Sequence, residues 1–339
     1  MNILLTSAGR RGYLVRYFKE VIQETGKVYA ANSSELSPAL SEADVAVVTP
    51  LIYDKEYIPF LKNYCKENNI HTLISLFDVD LPVLAAHKDE FQKIGTNIIV
   101  SDQNIIDICN DKWRTFLFLK EHGFLVPRSF LNIKEVIEEL HNGNLKFPLI
   151  VKPRWGMGSI GVVKAEDEEE LHFFYKKVQR EIRNSYLKYE SQKDIELSVL
   201  MQECLAGQEY GFDIINNLQG IYQNTIIKKK LAMRSGETDC AVTVKWDKGM
   251  DEAERLSNCL HHIGNLDVDV FEVNGEPYIL ELNARFGGGY PFSHLAGANL
   301  PQALVDWASG RETDVRNLHA ANGVLGQKDI TMIGLNIEN

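Results

Sequence analysis

The sequence predicts an α/β protein: a doubly wound parallel sheet at the N-terminus, followed by α+β units built on antiparallel strands. Three observations carry this. Residues 1 to about 105 alternate short apolar runs with helically spaced ones, the pattern of repeated βα units. Residues 106 to about 200 break that alternation with a glycine-rich loop and a long charged helix. From about residue 197, strand-length runs are joined by short turns and end in a hairpin signal, Asn274-Gly275 between two apolar-rich runs.

Composition bounds the function. At 339 residues the chain can enclose two or three cores and is too long for one small domain. A formal net charge of −11 leaves no dominant basic face, so nucleic acid is not an expected partner. The five cysteines are odd in number and include no C-x-x-C pair, which indicates neither a disulfide framework nor a zinc site. No apolar stretch approaches the roughly 18 residues of a membrane span, and the first apolar run, residues 3–5, is stopped by Arg10-Arg11. The expected setting is cytoplasmic, with no membrane partner.

Residues 1–108 read as strand 2–6, helix 13–25, strand 28–31, helix 55–67, strand 72–76, helix 81–91 and strand 97–100. The turn Ser7-Ala8-Gly9-Arg10-Arg11-Gly12 looks like a dinucleotide-binding turn with serine for its first glycine. No acidic residue closes the second strand at Ala30-Ala31-Asn32, so an NAD site would lack its ribose anchor unless Glu35 replaced it. Arg10, Arg11, Asp78 and Asp80 stand at strand ends, where they either face a ligand crevice or serve as turn and cap residues.

Residues 109–200 open with a helix that Asp111 is placed to cap and that Gly123 and Pro127 close. The buried run 147–153 carries Lys152 near its end and leads at once into Gly156, Gly158, Ser159 and Gly161. Glycines so spaced let backbone N–H groups approach phosphate oxygens, and the lysine adds a point charge; an ordinary hairpin between Ile150 and Val163 is the alternative. The stretch 166–193 is a charged helix with Leu171, Phe174, Tyr175 and Val178 on its apolar side.

Residues 201–310 read as antiparallel sheet. Strands are expected at 197–203, 209–215 and 220–228, with Leu205-Ala206-Gly207 turning between the first two. The cationic run 228–238 either holds a substrate carboxylate through Arg234, with Glu237 beside it, or is a solvated edge strand guarded by lysines. An amphipathic helix at 251–262 precedes the hairpin. There Glu281 and Asn283 share one face of a strand, while Leu280 and Leu282 share the other. Asp269 is expected to join them, with Glu272 as the other register, giving hard oxygen ligands suited to Mg²⁺. Arg285 keeps the same parity, and a guanidinium beside a metal implies a shared anion such as phosphate. Residues 311–339 are a tail with no assigned role.

The run Glu281-Leu282-Asn283-Ala284-Arg285 resembles the E-x-N-x-R signature of the ATP-grasp superfamily. Gly287-Gly288-Gly289-Tyr290-Pro291 resembles the group related to the carbamoyl phosphate synthetase large subunit. The resemblance spans roughly residues 1–310 and implies a Rossmann-like N-terminal domain before an ATP-grasp core of two α+β subdomains, with ATP between them. It implies that Asp269, Glu281 and Asn283 bind Mg²⁺, or Mn²⁺, on the ATP phosphates and that Arg285 steadies the transferring phosphoryl group. By the same likeness Lys112 and Lys152 contact the phosphates, and loop 156–161, with Gly156, Gly158, Ser159 and Gly161, is a mobile lid. Glu203, Cys204 and Leu205 lie on the hinge that reads the adenine edge, and Glu209 accepts from the ribose hydroxyls. Lys152 and Arg285 are the catalytic candidates; Arg10, Asp78, Arg234 and Glu237 are candidates for the acceptor site. The implied activity is ATP-dependent ligation of a small carboxylate to an amine, or to a thiol, through an acyl phosphate with release of ADP and phosphate. A kinase of the same fold and a non-catalytic ATP sensor are the competing readings, and a homodimer is an admissible assembly.

Overall fold

The structure, a computed structural model, describes residues 1–334, and three sheets organise them. The N-terminal sheet contains β1 (Asn2–Thr6), β2 (Val28–Asn32), β3 (Val45–Val48), β4 (Ile70–Ser75) and β5 (Asn97–Ile99) in the order β3-β2-β1-β4-β5, every pair parallel. The order reverses between β1 and β4, the position where an open α/β sheet leaves a crevice beyond its carboxyl ends. The loops after these two strands, Ser7 to Arg11 and Phe77-Asp78, border the same cleft. Strand β3 escapes the sequence reading because it is a four-residue edge strand with Ala46 and Val48 exposed. The helix expected at 55–67 begins at Tyr57, and the one expected at 81–91 is two short helices, Leu81–Ala85 and Lys88–Gln92.

The second sheet holds β6 (Ser129–Phe130), β7 (Leu149–Pro153), β8 (Val163–Ala165) and β9 (Val199–Glu203), ordered β6-β9-β7-β8 and antiparallel. Helix Glu168–Asn184 covers it with Leu171, Val178 and Ile182, against Val151, Val199 and Met201. Here the sequence reading needs correction. The strand at 197–203 was expected to begin the C-terminal sheet, yet it pairs with β7 from Leu149↔Glu203 to Pro153↔Val199. Val199, Leu200 and Met201 are all fully buried, as befits a central strand covered on both faces, so alternation gave no clue to its partner. The link between the two units is 204–207, and the boundary lies there and not at residue 200.

The third sheet runs β14-β13-β10-β11-β12-β15 from β10 (Gln208–Asn216), β11 (Tyr222–Arg234), β12 (Glu237–Val244), β13 (Gly264–Val273), β14 (Glu276–Asn283) and β15 (Leu325–Gln327). The tail therefore has a structural place: β15 closes the sheet edge by pairing with β12. Asn274 and Gly275 both have left-handed φ, 55° and 82°, as the two-residue turn joining β13 to β14 requires. Leu4, Tyr29 and Leu73 of the first sheet share one apolar core with Phe212, Val268 and Leu282 of the third. The second sheet has a core of its own. The first and third units thus form one block, and the middle unit sits on it as a separately packed lid.

A buried ion pair helps tie lid to block. Asp111 caps helix Lys112–Glu121 by accepting from the Trp113 and Arg114 amides at 3.0 and 3.3 Å, and it holds Arg154 Nε and Nη2, both at 2.7 Å. Arg154 is only 8% exposed. Asp111→Ala removes the cap and leaves a buried guanidinium whose one remaining carboxylate, Asp194, is 3.4 Å away, so a loss of about 3 kcal/mol is expected. The midpoint of urea unfolding measures it; an unchanged midpoint would show that the pair contributes nothing.

Candidate active site

The hairpin register decides which side chains meet. Asp269 stands opposite Glu281 and Asp267 opposite Asn283, so two cross-strand pairs put four oxygen-bearing side chains on one face. This face is a wall of a cleft of about 340 Å³, whose opposite wall comes from the N-terminal loops and whose roof carries Met157, Gly158 and Ser159 of the glycine loop. Gly287 makes the geometry possible: a Cβ there would lie 2.1 Å from Asp267 Oδ1.

Each of the two carboxylates assigned to metal is balanced by a lysine. Lys230 Nζ donates to Asp269 at 2.5 Å and to Glu209 at 2.6 Å. Burial works against its charge, but Asp269 and Glu209 outweigh burial and hold its pKa above that of an ordinary lysine. Lys112 Nζ lies 3.1 Å from Glu281 Oε1 and also donates to the Gly156 carbonyl, tying the helix start to the glycine loop. Lys152, 5% exposed, donates to Gln202 Oε1 at 2.7 Å, and desolvation pushes its pKa down to about 8. Beneath them Lys228 pairs with the fully buried Asp213, which also accepts from Ser293 and Asn265.

Arg285 bridges the first and third units. Its Nε and Nη2 each lie 3.0 Å from Asp78 Oδ2, and its Nη1 donates to Asp267 Oδ2 at 2.9 Å. A guanidinium gripped by two carboxylates keeps its orientation before any ligand arrives. Burial raises the proton affinity of Asp267, and Arg285 opposes that effect.

The structure does not bring all of the sequence-derived candidates together. Arg10, Asp78, Gly158, Ser159, Glu237, Asp269, Glu281, Asn283 and Arg285 line the cleft. Lys112, Lys152, Gly156, Gly161, Glu203, Cys204, Leu205 and Glu209 lie outside its lining, towards the lid and the 204–207 link. Glu203 accepts from the Arg128 amide at 3.2 Å. Arg234 pairs with Asp239 at the surface, outside the cleft lining, and Met233 lines the cleft instead. Register shifts around Ala232 put β11 out of step, reversing the parity that Lys228 and Lys230 set. Glu237 stays at the cleft and is held by Lys328 of the tail at 3.2 Å; burial opposes ionisation there, but Lys328, Arg11 and Arg285 draw its pKa below the usual value. Glu272, the other register for a metal ligand, instead accepts from Tyr210 OH at 2.8 Å. Asp80 is structural: four hydroxyls, from Thr6, Ser7, Tyr57 and Ser75, donate to it in a fully buried position. Sequence reasoning missed Asp267 and Lys230, although each is two residues from a residue of the same face, which is the signal that would have found them.

The donor set fits Mg²⁺. The assigned ligands are two of the three carboxylates on this face, Asp269 and Glu281, and the Asn283 amide oxygen, the third carboxylate, Asp267, being held by Arg285; no group of three His, Cys, Asp or Glu side chains among the described residues forms a ready-made metal cluster. Such a set is short of a full octahedron and leaves room for phosphate oxygens and water, the coordination Mg²⁺ prefers.

The comparisons agree with this geometry. Residues 109–289, more than half of the 339, match the family model described as ATP-grasp domain, and residues 3–99 match PylC-like, N-terminal domain. The chain belongs to the ATP-grasp family. The carbamoyl phosphate synthase large chain of Clostridium perfringens (strain SM101 / Type A) is 22% identical over 309 residues, covering 88% of this chain and 27% of that one. The chain thus spans about a quarter of the length of that relative. The L-amino acid ligase of Bacillus licheniformis superposes with a TM-score of 0.70 at 20% identity, over 93% of this chain and 78% of its own. The biotin carboxylase of Campylobacter jejuni, solved with β-γ-ATP, gives 0.72 at 15%, over 92% and 72%. The fold expected from the sequence, a parallel N-terminal sheet before an ATP-grasp core, is the observed one. ATP with Mg²⁺ is the cofactor pair that goes with this family. No helix among the described residues is long and apolar enough to cross a membrane.

Proposed function

We propose that this chain is an ADP-forming ligase that activates a small-molecule carboxylate as an acyl phosphate and joins it to an amine. One observation carries the reading: Arg285, the oxygen face of β13–β14 and the lysine Lys230 meet at a single cleft that the N-terminal loops close from the other side. ATP is assigned to the seam between lid and block, with Lys112 and Lys152 on its phosphates, Glu203, Cys204 and Leu205 along the base and Glu209 on the ribose. Asp269, Glu281 and Asn283 would hold Mg²⁺, which neutralises phosphate charge and orients the phosphates when bound.

The carboxylate oxygen takes the γ-phosphoryl group as its bond to ADP breaks. No strong base is needed, because a carboxylate is already the nucleophilic form. Catalysis is then mostly positioning and charge neutralisation, the work of Arg285, Lys112, Lys152 and Lys230. The amine nitrogen next attacks the acyl carbon, and inorganic phosphate departs. The five cysteines are free thiols, in keeping with a reducing cytoplasm.

Ligand-dependent melting tests the nucleotide half of this reading. Saturating MgATP should raise the melting temperature, by linkage worth about 2.7 kcal/mol at a hundredfold excess over Kd, whereas NAD should leave it unchanged. The first glycine turn is already satisfied from within, since Asn32 Oδ1 accepts from the Gly9 amide at 3.2 Å. A shift with NAD and none with ATP would reverse the assignment.

A further inference from the structure

We propose that the acceptor amine docks as an ammonium ion on Asp78 and Glu190, at the seam between the N-terminal unit and the lid, and gives its proton to this carboxylate pair. The proposal rests on the ligase reading and names the site of its second substrate.

The seam contains oxygen atoms without partners. Asp78 lines the cleft at 6% exposure; its Oδ2 takes Arg285, while its Oδ1 is out of solvent and unbonded. Asn110 donates from Nδ2 to the Asp78 carbonyl at 2.8 Å, and its own Oδ1 is likewise buried and unbonded. Across the seam, helix Leu187–Ser191 brings Glu190 Oε2 and Ser191 Oγ, both orphaned, and Ser191 is fully buried.

Two packing contacts hold that helix against the N-terminal unit and against the start of the glycine loop, whose Met157, Gly158 and Ser159 line the same cleft as Asp78. Tyr189 stacks on Tyr53 of the N-terminal unit, ring centroids 4.4 Å apart. Leu187 packs on Gly156, whose carbonyl accepts from Lys112. Burial and then the charge of Asp78 push the Glu190 carboxyl up to about 7.

An orphaned buried acceptor costs about 1–3 kcal/mol, and natural structures seldom keep several together without a partner. The amide oxygen and the carboxylate oxygen of Asp78 only accept, and Glu190 in its ionised form adds a third acceptor, so a partner that serves them together must donate several hydrogens. A primary ammonium supplies three, in a compact group. The position suits the chemistry. Asp78 shares its carboxylate with Arg285, one guanidinium away from the transferring phosphoryl group. One ammonium proton passes to Glu190 or Asp78, the freed lone pair forms the C–N bond, and the C–O bond to phosphate breaks with its electron pair leaving on phosphate. Glu190, titrating near neutrality, suits the role of acceptor.

Methylammonium chloride is the probe, added to the full chain saturated with MgATP, with thermal unfolding as the readout and potassium chloride and tetramethylammonium chloride at equal ionic strength as controls. Methylammonium should raise the melting temperature above both controls. Glu190→Gln should weaken the half-maximal methylammonium concentration by about tenfold or more, the effect of losing a charge-assisted hydrogen bond, while keeping the MgATP shift. Asp78→Asn should weaken it similarly, which keeps the test decisive if one variant does not fold. Equal shifts with potassium or tetramethylammonium would mean a general cation effect and would overturn the amine site. So would an unchanged half-maximal concentration in both variants. No MgATP shift in the unmodified protein would instead strike the ligase reading itself, and the amine site with it.

Discussion

Glu281→Gln is expected to lower turnover by about a hundredfold to a thousandfold while leaving adenosine-dependent binding in place. Glu281 stands directly across from Asp269, and with Asn283 these supply the oxygens assigned to Mg²⁺. The substitution keeps shape and keeps an acceptor for Lys112, which lies 3.1 Å away, so the fold should tolerate it. What it removes is one negative charge from a metal site with only two carboxylates. Glu203, Cys204, Leu205 and Glu209 are untouched, so the base and ribose contacts assigned to them should persist. Glu209→Ala should do the reverse, chiefly weakening ATP binding, since Lys230 retains Asp269 at 2.5 Å. ADP release at limiting Mg²⁺ measures both variants. Full activity of Glu281→Gln under that limit would remove the hairpin from the metal site.

The contrast between these two variants rests on features that the sequence displayed unevenly. The hairpin was legible because a two-residue Asn-Gly turn fixes register, and register fixes which side chains share a face. The cap at Asp111 was legible because it is local: the side chain bonds amides two and three residues on. Strand β9 was misplaced because a strand buried on both faces has no alternation to show where it pairs. That Arg234 points away from the cleft lining was not legible, because a bulge leaves no mark in the residues it displaces. Least legible of all was the grip on Arg285. Asp78 is 207 residues away in the chain, and only the shared core of the first and third sheets brings the two together. Glu190 escaped because its helix reads as ordinary charged surface.

Hydroxylamine should intercept the acyl phosphate as a hydroxamate, with ADP as the nucleotide product, once a carboxylate that supports ADP release is supplied. A kinase phosphorylating a hydroxyl would give a stable ester and no hydroxamate. Arg285→Ala should suppress hydroxamate formation by about a hundredfold or more, because the guanidinium is assigned to the charge that develops on the transferring phosphoryl group. That variant also leaves Asp78 and Asp267 without their cation, at 6% exposure for Asp78, and so should unfold more easily. Arg285→Lys separates the two effects. It keeps a positive charge at the site but has no planar fork with which to hold two carboxylates, so it should recover stability more fully than rate. An unchanged hydroxamate rate in Arg285→Ala would take this arginine out of the mechanism. AMP in place of ADP would overturn the acyl phosphate itself: the bond broken would be α–β, the intermediate an acyl-adenylate, and the cluster of lysines and oxygens around the γ-phosphoryl position would then be aimed at a group that leaves as pyrophosphate.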